Sequence, residues 1–198
     1  MFARTVVAAL AVCTSGFAAD EMTLYDLLAP DTHQFAIVYD VTQAHEGARF
    51  FLNPIRPGST ASKERVIERG TGKELQFETV TGKDAKAAGL VAARAADDAL
   101  FLKVQLPGPV PKNGETRIRI FKTYMDAPSY YVRENGDLVF DRPLGIKRNV
   151  VLLPAGWELI GCASPGMVST QADGRIKVSF LNDRDDQLPV KIIARRRQ

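Results

Sequence analysis

His33 and His45 are the two imidazoles of this chain, and Asp31, Asp40 and Glu46 lie close to them in sequence. They are the first residues to consider for metal or acid–base chemistry. Zinc needs three or four ligands at a spacing the fold can close. Neither His-Glu-x-x-His nor Cys-x-x-Cys occurs, so the sequence predicts no metal site and no cofactor. Ser59, Ser62, Ser129, Ser164 and Ser169 are candidate nucleophiles, but none sits in a Gly-x-Ser-x-Gly elbow. A Ser-His-Asp arrangement would have to use one of the two histidines. They flank the first strong strand pattern, which sets them at opposite ends of it. Asp97-Asp98 and Asp185-Asp186 are paired carboxylates, but adjacent strand residues face opposite sides. Turns or solvated ends explain them better. No phosphate-cradling glycine loop and no EF-hand spacing is present. The sequence names no catalytic residue, and a non-catalytic protein is the expectation.

Binding chemistry has better candidates. Tyr124-Met125-Asp126-Ala127-Pro128-Ser129-Tyr130-Tyr131 places aromatics beside polar groups, an arrangement that can stack on sugar rings. Trp157, the only tryptophan, is a further stacking candidate. Phe140 to Asn149 gathers Arg142, Lys147 and Arg148 around Pro143 and Gly145, a cationic loop suited to a carboxylate or an acidic partner. The ligand-binding candidates are therefore Tyr130, Tyr131, Arg142, Lys147 and Arg148. The structural alternatives are inward packing of one tyrosine and of Trp157, and pairing of Asp141 with Arg142 or Arg148. Asn53-Pro54-Ile55-Arg56-Pro57-Gly58-Ser59 is a second rigid, cationic loop.

The first residues bear on where such chemistry takes place. Arg4, an apolar run from Val6 to Cys13, and Gly16-Phe17-Ala18 follow the order of a secretory signal peptide. The run is too short for a membrane span, which takes about 20 apolar residues. A mature chain starting near Ala19 and working in the periplasm or as a secreted protein is the expectation. Leu10-Ala11-Val12-Cys13 approaches a lipobox, but Val12 is larger than acylation of Cys13 favours. Removing Arg4 leaves 25 basic against 23 acidic residues, a balance that argues against nucleic-acid binding. Cys162 is then the only thiol, so an internal disulfide is excluded.

These residues need a scaffold, and the pattern supplies strands. Phe35, Ile37, Tyr39 and Val41 alternate with Ala36, Val38 and Asp40, a period of two. Ala48 to Ile55, Ala99 to Leu106 and Thr116 to Tyr124 read as further strands; in the last, Ile118 and Ile120 oppose Arg117 and Arg119. Arg65 to Glu68 and Leu75 to Val80 flank Gly70-Thr71-Gly72-Lys73 as a hairpin. Asn135-Gly136 and Asp173-Gly174 mark two more. Asn149 to Leu153, Trp157 to Ile160 and Leu188 to Ala194 complete the series. The fold class is all-β: an antiparallel sandwich of about 11 to 13 strands in one domain, residues 19–198. The alanine-rich stretch 83–98 reads as one short helix or a crossover between sheet halves, and is a candidate sub-boundary.

Two passages resemble the all-β N-terminal domains of exported metallo-aminopeptidases. Thr32-His33-Gln34-Phe35-Ala36-Ile37-Val38-Tyr39-Asp40-Val41-Thr42 is similar to their opening strand. Val151-Leu152-Leu153-Pro154-Ala155-Gly156-Trp157-Glu158 is similar to a later strand and turn. The resemblance implies a fold; the zinc helix of those enzymes is missing, so it implies no activity. The leading expectation is a binding module that recognises a protein partner or an envelope glycan through its loops. The alternatives are a cell-envelope hydrolase assembled only in the fold, and a structural subunit of an envelope assembly.

Overall fold

The computed structural model describes residues 20–197. The leader and Cys13 lie outside the described residues. Fourteen strands are present among those described, one above the upper end of the expectation. They are β1 (Met22–Leu27), β2 (Gln34–Gln43), β3 (Phe50–Ile55), β4 (Thr60–Glu68), β5 (Phe77–Thr81), β6 (Leu100–Gln105) and β7 (Thr116–Met125). β8 (Tyr130–Val132), β9 (Leu138–Leu144), β10 (Arg148–Leu152), β11 (Trp157–Cys162), β12 (Met167–Thr170), β13 (Ile176–Leu181) and β14 (Leu188–Arg196) follow. One short helix, α1 (Gly82–Ala87), lies between β5 and β6. No helix among the described residues is long and apolar enough to cross a membrane.

The strands form three sheets. A seven-stranded sheet has the order β12-β13-β10-β1-β2-β7-β4, a four-stranded sheet β11-β14-β9-β8, and a three-stranded sheet β3-β6-β5. Pairing is antiparallel except between β1 and β10. The large sheet turns one face toward both smaller ones, because its strands alternate apolar and polar residues. On β2, Phe35, Ile37, Tyr39 and Val41 are buried. Phe35 meets Phe140 of the four-stranded sheet edge-on, with centroids 5.6 Å apart. Tyr39 meets Phe51 of the three-stranded sheet at 6.4 Å. One apolar core thus joins all three sheets.

Two local readings change. The turn at Gly70–Lys73 forms, with Glu68 N–H donating to the Lys73 carbonyl at 2.9 Å and Gly72 at φ 73°. The expected hairpin, however, shrinks to a single bridge, Ile67 to Glu74. Beyond Leu75 the chain turns away to pair β5 with β6, and Gln105 N–H donates to the Gln76 carbonyl at 2.9 Å. The alanine-rich stretch contains α1, capped by the Thr81 hydroxyl, which accepts from Asp84 N–H at 3.1 Å. It leaves and re-enters the same sheet, since β5 and β6 are neighbours.

Gly82 fixes that connection. Its N–H donates to the Ala99 carbonyl at 2.6 Å, and a Cβ there would lie 1.9 Å from the Ala96 carbonyl oxygen. Gly82→Ala is expected to cost about 1–3 kcal/mol by overpacking against backbone, read as a lower urea midpoint. An unchanged midpoint would show that the loop yields freely.

Candidate functional site

Alternation within the strands should fill the space between sheets with apolar side chains. At one place it does not. The inward face of β7 runs Ile118, Ile120, Lys122, Tyr124, and all four are buried. The inward face of β9 runs Leu138, Phe140, Arg142, Leu144, likewise buried. Asn53 is the buried residue of β3, between Phe51 and Ile55 on the same face. A lysine, an arginine and an asparagine therefore occupy core positions, where an uncompensated charge is costly.

They converge. Lys122 Nζ donates to Asn53 Oδ1 and, at 3.3 Å, to the Tyr124 hydroxyl. Its ammonium also lies 4.8 Å from the Tyr124 ring centroid. The Arg142 guanidinium donates through one terminal nitrogen to Asp126 Oδ2 at 2.6 Å. It is stacked near Phe35 and Tyr124, at 5.4 and 5.5 Å from their centroids. Asp126 follows β7 directly and also accepts from the Ser59 hydroxyl at 3.2 Å. This buried ion pair ties the end of the large sheet to the four-stranded sheet.

Around these groups the three sheets leave a cavity of about 120 Å³. The large sheet contributes Thr23, Tyr25, Ile37, Tyr39, Lys122 and Tyr124. The three-stranded sheet and the loop after it contribute Asn53, Pro54 and Arg56, and the four-stranded sheet with its following loop contributes Arg142 and Ile146. Three cations, three tyrosines and no carboxylate line it. Exposed Pro54 with half-buried Arg56 and Ile146 forms the mouth. Neither Lys122 nor Arg56 belongs to an ion pair among the described residues.

Burial sets the protonation of the site. It lowers the Lys122 pKa to about 8; the nearby Arg142 charge pushes the same way and Glu64 opposes it. Burial raises Tyr25, and the adjacent Arg142 partly offsets this. Arg142 itself is lowered by burial. Glu64 reaches this neighbourhood from an irregularity in β4 between Ser62 and Arg65, where Lys63 has φ 55°.

Of the five residues singled out from sequence, only Arg142 lines this cavity. Tyr130 is fully buried, and its hydroxyl donates to the Leu28 carbonyl at 2.6 Å, so its ring packs in the core with a satisfied polar end. Tyr131 is half-buried and pairs with Val139 in the β8–β9 hairpin. Lys147 donates to the Arg184 carbonyl at 2.9 Å. Arg148 pairs with Asp20 and borders a separate, shallow depression beside Met22, Met167 and Leu181. The three cations of residues 142–148 do not gather in one loop, because Arg142 points inward from β9 while Lys147 and Arg148 are exposed. Asp141 pairs with Lys191, not with Arg142 or Arg148. Trp157 is buried, with the Arg196 guanidinium 6.0 Å from its centroid.

The histidines stay apart. His33 Nδ1 bonds the Tyr130 carbonyl at 2.9 Å, and His45 lies beyond the other end of β2, its backbone N–H bonded to Gln43. No three His, Cys, Asp or Glu residues are gathered for a metal ion among the described residues.

The architecture is one that occurs within zinc metallopeptidases. The M1 zinc metallopeptidase from Deinococcus radiodurans superposes with a TM-score of 0.50 at 12% identity, over 88% of this chain and 40% of that one. An aminopeptidase N family protein from Idiomarina loihiensis gives 0.50 at 11% identity, over 88% of this chain and 29% of that one. This chain thus spans about two fifths or less of those proteins, and the likeness is one of fold. Neither a protein-family model nor a curated protein matches the sequence. The donors that a catalytic zinc requires are not gathered among the described residues, which do not fit that metal.

Proposed function

We propose that this chain is a non-catalytic binding module that recognises an acidic group on a protein or glycan partner. Its place of work is the periplasm or the medium, reached by loss of residues 1–18. One observation carries the binding reading: three cations face a cavity with no carboxylate in its wall. A core normally excludes unpaired charge, because desolvating it costs several kcal/mol. Retaining Lys122 there is understandable if an anion completes the site. The mouth lies at the Asn53–Ser59 loop, so recognition runs through that loop and the inter-sheet space rather than through residues 130–131 and 147–148.

The hydrolase alternative draws nothing from the histidines: the His33 ring bonds the Tyr130 carbonyl, and among the described residues no side-chain bond from the His45 ring is present. The structural-subunit alternative draws on β12, an edge strand exposed along its whole length.

Thermal unfolding with a panel of anions and neutral sugars at constant ionic strength tests the proposal. A ligand at 100 times its Kd stabilises by about 2.7 kcal/mol. At least one oxyanion is expected to raise the midpoint of the wild type clearly more than that of Lys122→Met. No shift with any anion, or equal shifts in both proteins, would overturn the reading.

A further inference from the structure

The cavity is small, and its walls are chemically mixed. Its free volume is about 120 Å³. Such a space admits a small head group and leaves any larger body of the ligand outside the mouth. Arg142 gives one terminal nitrogen to Asp126, leaving most of its fork of five N–H donors. Among the described residues only Asn149 Oδ1 is a sealed side-chain polar atom without a partner. The Arg142 guanidinium also lies within hydrogen-bonding range of the Tyr25 hydroxyl, and both Arg142 and Tyr25 line the cavity.

Ile37, Pro54, Ile146 and the tyrosine rings face the same space. Phosphate or sulfate presents oxygen on every side and needs donors all round. A carboxylate presents two oxygens at one end and leaves its carbons for apolar walls. Planar pairing with a guanidinium also suits a carboxylate. The open mouth at Pro54, Arg56 and Ile146 lets the remainder of a longer ligand stay outside.

We infer that the cavity holds the terminal carboxylate of a small aliphatic acid, bound between Arg142 and Lys122 with Arg56 at the mouth. The acid is either free or the end of a peptide whose body projects into solvent. The inference rests on the binding reading above and adds the ligand class. No bond is made or broken.

Calorimetry at pH 7 with propionate, acetyl-Ala-Ala and acetyl-Ala-Ala carboxamide separates the cases. Both acids are expected to bind, and the carboxamide to bind about tenfold more weakly or worse, having lost a charge-assisted contact. Lys122→Met and Arg56→Ala should each weaken the acids about tenfold, Arg56→Ala guarding against a folding artefact. Arg148→Ala, remote from the cavity, should leave binding unchanged. An acetyl-Ala-Ala affinity well above that of propionate assigns the ligand as a peptide end, and equal affinities assign a free acid. Equal binding of acid and carboxamide overturns the inference. So does binding of phosphate or sulfate with neither acid, an outcome that leaves the wider binding reading intact.

Discussion

Arg142→Met is expected to cost about 3–5 kcal/mol of folding stability. Arg142 and Asp126 are both buried, and their 2.6 Å contact is the only ion pair either makes among the described residues. Removing the guanidinium leaves a buried carboxylate with only the Ser59 hydroxyl and the Ser129 N–H as donors. That is an uncompensated charge in the core rather than a lost contact. Urea unfolding of the single variant against Arg142→Met with Asp126→Leu measures it. The double variant should recover most of the loss, since replacing both members of a buried pair by apolar residues is often neutral or better. A loss below about 1 kcal/mol in the single variant would show that Asp126 is hydrated and that the pair does not tie the sheets together. Binding studies on Arg142 variants should therefore be read only beside a stability measurement.

Lys122 makes the opposite prediction. Its pKa in the folded chain is about 8, below the ordinary lysine value of about 10.4. Between those values the unfolded chain binds a proton that the folded chain has released, so stability rises with pH across this window. The gain is about 3 kcal/mol, and it is withheld below pH 8, where the buried ammonium must be carried. Burial raises Tyr25, Tyr39, Tyr124 and Tyr130 above their usual range. The unfolded chain then loses their protons first, and stability falls again above about pH 10. The free protein should be most stable near pH 9 to 10. Lys122→Met with Asn53→Leu removes both the charge and the amide that accepts from it. At pH 7 the pair is expected to add about 2–3 kcal/mol and to erase the rise above pH 8. A destabilised double variant, or an unchanged pH profile, would contradict the assignment. Stability gained while binding is lost is the pattern of a site kept for function.

Much of this site was readable along the strands. Ile118-Ile120-Lys122-Tyr124 carries a lysine in register with two isoleucines, and Leu138-Phe140-Arg142-Leu144 carries an arginine in the same way. Period-two alternation alone assigns both cations to the core. The register that sets Arg117 and Arg119 on the wet face, carried two residues further, sets Lys122 in the core. Arg142 has cationic neighbours in sequence, and its inward position separates it from them. The fold class and most strand positions followed from alternation and from Asn-Gly and Asp-Gly turns. β1 was missed because Met22-Thr23-Leu24-Tyr25-Asp26-Leu27 mixes polar and apolar residues on both faces. What no local pattern contains is which sheets meet. β3 pairs with β6, far along the chain, and it is the packing of their sheet on the large one that brings Asn53 to Lys122. Nor does local pattern show that the Tyr130 hydroxyl reaches the Leu28 carbonyl, 102 residues away in sequence.

The direct test is a carbon-13 NMR titration of the lysine ε-methylenes, with Lys122 assigned by its absence in Lys122→Met. One lysine should titrate near pH 8 in the free protein and move up by a unit or more when propionate is added. If every lysine titrates near 10.4, or the value near 8 ignores the carboxylate, the ammonium is not a desolvated charge awaiting an anion.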